Sequence, residues 1–595
     1  MGAPAPEGAQ AQLEEAPTQQ RNSSPSTRFW LVYAGVCASV FLAALEFSSV
    51  GTALPTIVKA LNGTDFIWVG SAYALASAAS MPPAGGLSNI FGRKPLMLGS
   101  IALFALGSAL AGAAQSMNML VAARAVQGAG GGGILTLTEI IIADMVPLRD
   151  RGKYTGFIGG VWSLASVLGP PVGGALSTAG QWRWIFYINV PLSAASAVSV
   201  YFFLHIREPS GNWSTKLKAI DWIGNGLIIA STASVILALT WGGVTYPWDS
   251  ARVLVPLLVG FSGMAVFLAY EGYIERQPVN TALTGIVEKQ TVGDDNVAAM
   301  ERSPLGRKPT IPLRLLNNRT SLSGYLQTFI HGLVSTLVPY YMPTYFQAAK
   351  LKSAIISGVL MFPTAFVVAP VAIMVGASVA STGKYRPQML IAWPLIVATY
   401  GILSLLRSSS SIAMGAGLQV PAAIALGLMY IIPQYPVQAP LDVRDTASAL
   451  ALMFWFRQFG QTFGITVGIT ILQNTLTRRL PSELLSQFPA GAELSYALVP
   501  RIPSLAEPLR SQVRDAFSIG IRNIWYAAAG LAGLGLLVAL PAKGLPLSVV
   551  TDENWGLEER QSPDEEKSVT AVEALNSGAL PAANPSAAVS TADLI

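Results

Sequence analysis

The chain has 595 residues, 52% of them hydrophobic and only 12% charged, with a formal charge of +5 at pH 7. Soluble chains carry about 25% charged residues, so the composition excludes a string of aqueous domains and leaves a polytopic membrane protein. One cysteine (Cys37) and two histidines (His205 and His331) exclude a disulfide framework and a Cys- or His-rich metal centre. No metal or other cofactor is expected.

The first 28 residues are polar, rich in Pro, Gln and Ser, and lack the apolar core of a signal peptide; they read as a disordered tail. A bilayer core about 30 Å thick takes about 20 apolar residues as helix. Such runs fall at 29–54, 66–87, 95–114, 119–143, 154–178 and 185–204, then at 221–241 and 251–270. After a polar stretch they resume at 321–347, 354–378, 388–406, 413–435, 447–473 and 519–540, which makes fourteen expected spans. Abundant Gly, Ala and Ser suit close helix contacts in lipid, and the alternating ten-residue pattern of a β-barrel is missing. Lys and Arg gather in alternate loops: Arg93-Lys94, Arg149 to Lys153, Arg207 to Lys218, the 275–318 stretch, and Lys384 with Arg386. That asymmetry puts those loops and both termini in the cytoplasm, 474–518 outside, and 541–595 in a disordered cytoplasmic tail. Basic clusters of this kind are topology signals, so the positive charge does not argue for nucleic acid. Asn62, in Asn-Gly-Thr, falls in an expected outside loop and is a candidate for glycosylation.

Four stretches carry mechanism. The loop after the second span reads Gly85-Gly-Leu-Ser-Asn89-Ile-Phe-Gly92-Arg93-Lys94, where Gly92 allows a tight turn. Arg124-Ala-Val-Gln127-Gly128-Ala-Gly130 places an arginine inside an apolar helix, where it is costly and by default functional. The fourth span ends in Asp144-Met-Val-Pro147, followed by Arg149-Asp150-Arg151. The fifth contains Gly156, Ala165, Gly169-Pro170-Pro171-Val-Gly173-Gly174, of which Ala165, Gly169 and Gly173 recur every four residues on one flat helix face.

Together these resemble the major facilitator superfamily. They are most similar to its fungal drug:H+ antiporters with fourteen spans, whose secondary-metabolite and toxin efflux pumps share this order of motifs. Trp182-Arg-Trp-Ile-Phe-Tyr-Ile-Asn189-Val-Pro191 and Tyr341-Met-Pro-Thr-Tyr-Phe-Gln347 add to the likeness. The resemblance implies an all-α fold of two six-helix bundles, over 29–204 and 321–540. Two added helices would lie within 205–274, followed by a cytoplasmic central loop over 275–320. It assigns gating to Gly85, Asn89, Gly92, Arg93, Lys94, Asp144 and Arg151, and the antiporter motif to Gly156, Gly169, Pro170, Gly173 and Gly174. Two positions depart from the pattern. Ala165 stands where the antiporter motif has Gly. Asn89 stands where the family has Asp, so a gate charge is missing, and either Asp144 and Asp150 with Arg149 and Arg151 hold the gate or it is looser.

Proton coupling needs a titratable group inside the membrane, and Glu46, Arg124 and His331 are the candidates. Glu46 lies about 12 Å and Arg124 roughly 8 Å from the outer ends of their spans at 1.5 Å per residue, so the two are expected to pair. Gln127, Tyr340, Tyr341, Gln347, Gln434, Trp455, Arg457 and Gln458 are the candidates for a cavity suited to amphipathic organic molecules. The expected activity is therefore proton-coupled efflux of a small molecule by alternating access, in a monomer that meets only substrate, protons and lipid. Plasma membrane is the first reading of location and the vacuolar membrane the second. Vacuolar uptake of basic amino acids, a transporter-like sensor and a polytopic membrane enzyme are the alternatives. No catalytic constellation supports an enzyme, and no G-x-x-x-x-G-K-[ST] loop supports ATP-driven transport.

Overall fold

The computed structural model describes residues 26–61, 67–206, 209, 212–276, 309–488 and 494–551. Asn62, most of the central loop and most of both tails lie outside the described residues. The described chain is helical, and ten helical stretches in it are long and apolar enough to cross a membrane. In the first part these elements are α1 (Thr27–Leu61), α2 (Ile67–Phe91), α3 (Arg93–Gly112), α4 (Met117–Met145), α5 (Leu148–Thr178) and α6 (Trp184–Phe203). A pair follows, α7 (Trp222–Trp241) and α8 (Ala251–Arg276). The last part has α9 (Arg319–Ser335), α10 (Leu337–Ala348), α11 (Ala354–Thr382), α12 (Arg386–Leu403), α13 (Ile412–Gln438), α14 (Thr446–Arg479) and α15 (Leu509–Ala539).

Fourteen spans were expected. The four expected segments beyond the ten are also helical, but α2 is diluted by Ser, Gly and two prolines, and α14 by Arg457 and several Gln and Thr. The 321–347 run is divided between α9 and α10, and α12 opens on Arg386-Pro387-Gln388, which dilutes its 18 residues. The final helix starts ten residues before the expected 519. Its polar first turns lie beyond the apolar run, where Arg514 Nε donates 3.0 Å to the Ala349 carbonyl.

One pairing scheme occurs twice. In the first part α1 packs on α5 and α6, α4 on α2 and α3, and α3 on α6. In the last part α9 packs on α14 and α15, α13 on α11 and α12, and α12 on α15. The two halves therefore repeat in the same order, as in transporter folds with parallel repeats. They meet along two seams that correspond under this repeat, α5 on α11 and α2 on α14.

The seams differ in extent. Along α5 and α11 the close approaches run antiparallel over the full helix length: Gly152 on Gly376, Gly156 on Ile373, Gly160 on Ala369, Pro170 on Gly358 and Gly174 on Ile355. The opposite face of α5 (Ala165, Gly169 and Gly173) lies on α1, with Gly169 against Ser48 and Gly173 against Ser49. Small residues on two faces thus let α5 sit between α1 and α11. The α2–α14 seam is tight at Gly85, where an added Cβ would stand 2.6 Å from the Ala451 Cβ. Farther along, α14 turns to α7, with Trp455 Nε1 donating 3.0 Å to Thr232 and Thr466 donating 3.4 Å to the Leu239 carbonyl.

Two polar clusters fasten the chain beyond the central loop. Asp221, which caps α7, takes bonds from Gly224 N at 2.9 Å and Tyr270 Oη at 3.1 Å, and Glu271 on α8 takes Thr310 N at 3.1 Å. Arg314 grips Asp445 with two hydrogen bonds of 2.9 and 2.6 Å, which hold its guanidinium above the usual range.

Replacing Gly156 by Leu forces bulk against the Ile373 backbone, 2.9 Å from where a Cβ would stand. Overpacking costs roughly 1–3 kcal/mol, so the Gly156→Leu variant in detergent is expected to unfold at lower temperature than the parent. Gly226→Leu, at a position with nothing within 4 Å, is expected to unfold with it.

Candidate transport site

Glu46 sits on α1 and is 1% exposed. Burying a charge is tolerated only when it is paired and its remaining lone pairs are met, and four helices contribute to that here. Arg124 Nη1 of α4 donates to Glu46 Oε1. Asn189 Nδ2 of α6 donates 3.0 Å to Glu46 Oε2. Arg124 itself donates 3.0 Å from Nε to the Val69 carbonyl of α2 and 2.6 Å from Nη1 to Gln127 Oε1. Gln127 Nε2 then donates 2.7 Å to Ser108 Oγ of α3. The Tyr73 ring lies 4.6 Å from the guanidinium carbon, close enough for a cation–π contact. The glycine run of α4 makes this possible: a Cβ at Gly128 would stand 2.3 Å from the Tyr73 carbonyl oxygen.

Among the cavity candidates, Gln127 is therefore a member of this network, fully buried. On the other half, Arg457 Nη2 donates 2.7 Å to the Tyr430 carbonyl, with the Tyr430 ring 4.7 Å and the Phe454 ring 5.2 Å away. His331 is 2% exposed, with Nε2 3.3 Å from the Leu426 carbonyl, one turn from Arg457's own contact at Tyr430. Gln434 is buried with neither side-chain atom bonded. Tyr340, Gln347 and Gln458 are half-buried. Tyr341 is packed, its hydroxyl donating 2.7 Å to the Ile465 carbonyl, and Trp455 faces α7. The structure thus gathers the N-half residues into one site and spreads the C-half candidates over several positions.

At the end of the bundle carrying the 85–94 loop, Gly92 at φ 95° turns the chain into α3. Arg93 is 2% exposed and donates from Nε to Asp144 Oδ2 at 2.8 Å, and from Nη1 to the Ser88 carbonyl at 2.8 Å and Asn89 Oδ1 at 3.1 Å. Lys94 lies 4.9 Å over the Tyr201 ring. Arg151 closes the carbonyls of Ala143 and Val146 and reaches across to Gln438 of α13, while Arg149 Nε donates 2.8 Å to the Ala380 carbonyl of α11. The Asp150 carboxylate takes a hydrogen bond from Lys153 three residues on, at 2.9 Å on the surface.

Comparison with known proteins agrees with this architecture. The Major Facilitator Superfamily model matches residues 36–465. The chain belongs to the Major Facilitator Superfamily. It is thus a membrane transporter and not an enzyme. It is 36% identical to the efflux pump FUS6 of Gibberella moniliformis over 569 residues, 94% of this chain and 95% of the relative. It is 33% identical to the acurin A biosynthesis cluster MFS-type transporter of Aspergillus aculeatus over 559 residues, 92% of this chain and 95% of the relative. The fold is like that of the human organic anion transporter MFSD10 (TETRAN), with TM-score 0.51 and 15% identity across 87% of this chain and all of that one.

Within this superfamily frame, the Asn at position 89 has a structural counterpart. Asn89 accepts from Arg93 within its own loop, and Asp144 supplies the carboxylate that neutralises Arg93. Contacts to the other half come from Arg149, Arg151 and Gly85 instead. Asn189, Ser108 and Tyr73 join the site without a mark in the sequence beyond an amide or hydroxyl inside an apolar run, which does not name its partner. Glu139 on α4 is a further buried carboxylate, 3% exposed.

Removing one member of a buried pair leaves the other charge uncompensated, at about 3–5 kcal/mol. Arg124→Ala is expected to lower the thermal midpoint of the purified protein strongly. Adding Glu46→Gln to it should recover part of the loss, as a double-mutant cycle in detergent would show; no recovery would mean the two side chains are not energetically coupled.

Proposed function

We propose that the chain exports amphipathic organic small molecules, of the fungal secondary-metabolite kind, in exchange for protons. The roles of its relatives, an efflux pump and a biosynthesis-cluster transporter, support the direction and the cargo class. The single observation that carries the coupling is the buried Glu46–Arg124 pair with its Asn189 and Gln127 partners. A proton arriving at Glu46 removes one of two charges that hold α1 and α4 together. Arg124 keeps Gln127, the Val69 carbonyl and the Tyr73 ring, so the protonated state has an alternative arrangement ready for it.

In this reading the chain crosses the membrane fourteen times with both termini cytoplasmic. Bundles over 29–204 and 321–540 flank the α7–α8 pair and the central loop over 275–320. The gate formed by Arg93, Asp144, Arg149 and Arg151 then faces the cytoplasm, and the cargo passes between the halves near Tyr340, Gln347, Arg457 and Gln458. The protein works as a monomer in the plasma membrane, with Asn62 available for glycosylation on the outer side.

Export of an amphipathic dye from cells producing the protein is expected to stop when a protonophore collapses the gradient. Glu46→Gln is expected to lower it at least tenfold and to flatten its pH dependence. Export that survives the protonophore would overturn the reading.

A further inference from the structure

Arg457 stands eleven positions into α14. At 1.5 Å per residue that is about 16 Å from the start of the helix, near the middle of a bilayer core about 30 Å thick. A charge at such depth normally has a partner of opposite sign, as Arg124 has in Glu46. Among the described residues Arg457 has none. Glu139, the buried carboxylate of α4, takes its hydrogen bond from Thr155 Oγ1 at 3.0 Å, and no hydrogen bond joins it to Arg457. His331 supplies no anion either, because its Nε2 faces the Leu426 carbonyl and must carry a proton to bond there.

What Arg457 has instead is one carbonyl and two rings. Nη2 donates 2.7 Å to the Tyr430 carbonyl, and the guanidinium carbon lies 4.7 Å from the Tyr430 ring and 5.2 Å from the Phe454 ring. The rings offset part of the charge. Nε is buried with no acceptor, so a charged donor remains for a negative oxygen to complete.

An apolar surface lies across the seam. The Tyr430 ring faces Gly159 of α5, where an added Cβ would stand 3.0 Å from Tyr430 Cε1. Three residues on, Trp162 is half-buried, and its ring lies 6.4 Å from that of Phe47 on α1, which is 47% exposed. Residues three apart are neighbours on a helix face. The aromatic pair therefore sits on the side of α5 that meets Tyr430.

We propose that the cargo is an amphipathic organic acid, its ionised carboxylate held by Arg457 of the last half and its apolar body resting on Trp162 and Phe47 of the first. A neutral analogue of the same shape leaves the buried cation uncompensated, so the site selects by charge. This names the cargo class within the export reading above and rests on it.

Full-length protein in sealed vesicles with an imposed proton gradient is given a diethylaminocoumarin carboxylic acid or its primary amide, at a pH where the acid is ionised. The acid is expected to show a KM at least about tenfold below that of the amide, the factor that one charge-assisted hydrogen bond supplies. Arg457→Gln should bring the two KM values together. Arg457→Lys, which keeps the charge but not the planar fork, should keep only part of the difference. Trp162→Ala should raise both KM values and preserve their ratio, because the two probes share one apolar body. A parent with no preference for the acid overturns the proposal. So does an Arg457→Gln protein that retains the preference, or, should that variant not fold, an Arg457→Lys protein with the parent's full ratio. A protonophore separates the two readings. Transport that ignores it while still preferring the acid removes proton coupling alone, whereas proton-driven transport indifferent to the charge of the probe removes only the anion site.

Discussion

A buried ion pair in lipid has no water to fall back on, and the Glu46–Arg124 pair imposes that condition on the whole first half of the protein. Meeting it takes Asn189 from α6, Gln127 from α4, a carbonyl from α2 and a hydroxyl from α3 at the end of the chain of bonds. Those donors reach the pair only because α4 has almost no side-chain bulk between Gly128 and Gly133, so that α2 and α3 lie directly on its backbone. The packing and the electrostatics are thus one arrangement: enlarge α4, and the arginine loses its partners.

The same economy of small residues shapes the seams between halves. α5 is smooth on two faces, one for α1 and one for α11, and runs against α11 from Arg149 to Gly174. α14 presses on α2 at Gly85 and then leans on α7. The repeat-related seams are therefore unequal, with one continuous and the other confined to the gate end. Away from these seams, the Glu46 carboxylate ties α1 to α4 and α6 within the first half.

Much of this was legible in the sequence. Apolar runs about 20 residues long gave the helices, because lipid demands that every backbone group be bonded within its own segment. The spacing of Ala165, Gly169 and Gly173 marked a flat face, although not that α1 would fill it. Pairing of Glu46 with Arg124 followed from their similar depth. Asn189 stood in a quoted motif, but a short amide gains a role only when the fold decides which carboxylate it meets. Glu139 was hidden because a single acid hardly alters a run as apolar as 119–143. Trp455 read as a cavity residue, yet its indole N–H is drawn to Thr232 on α7, a helix whose position the local sequence does not encode. Asp221 and Glu271 lie at the margins of separate runs, and only the packing of α7 on α8 brings them to the same strand of chain after the central loop.

The central claim is that Glu46 exchanges a proton while Arg124 stays charged beside it. Infrared difference spectra of the reconstituted protein, recorded on a pH jump for the parent and for Glu46→Gln, test it most directly. A protonated-carboxyl band that appears on acidification in the parent and is lost or diminished in Glu46→Gln is the predicted result. An identical band in both proteins would contradict the account.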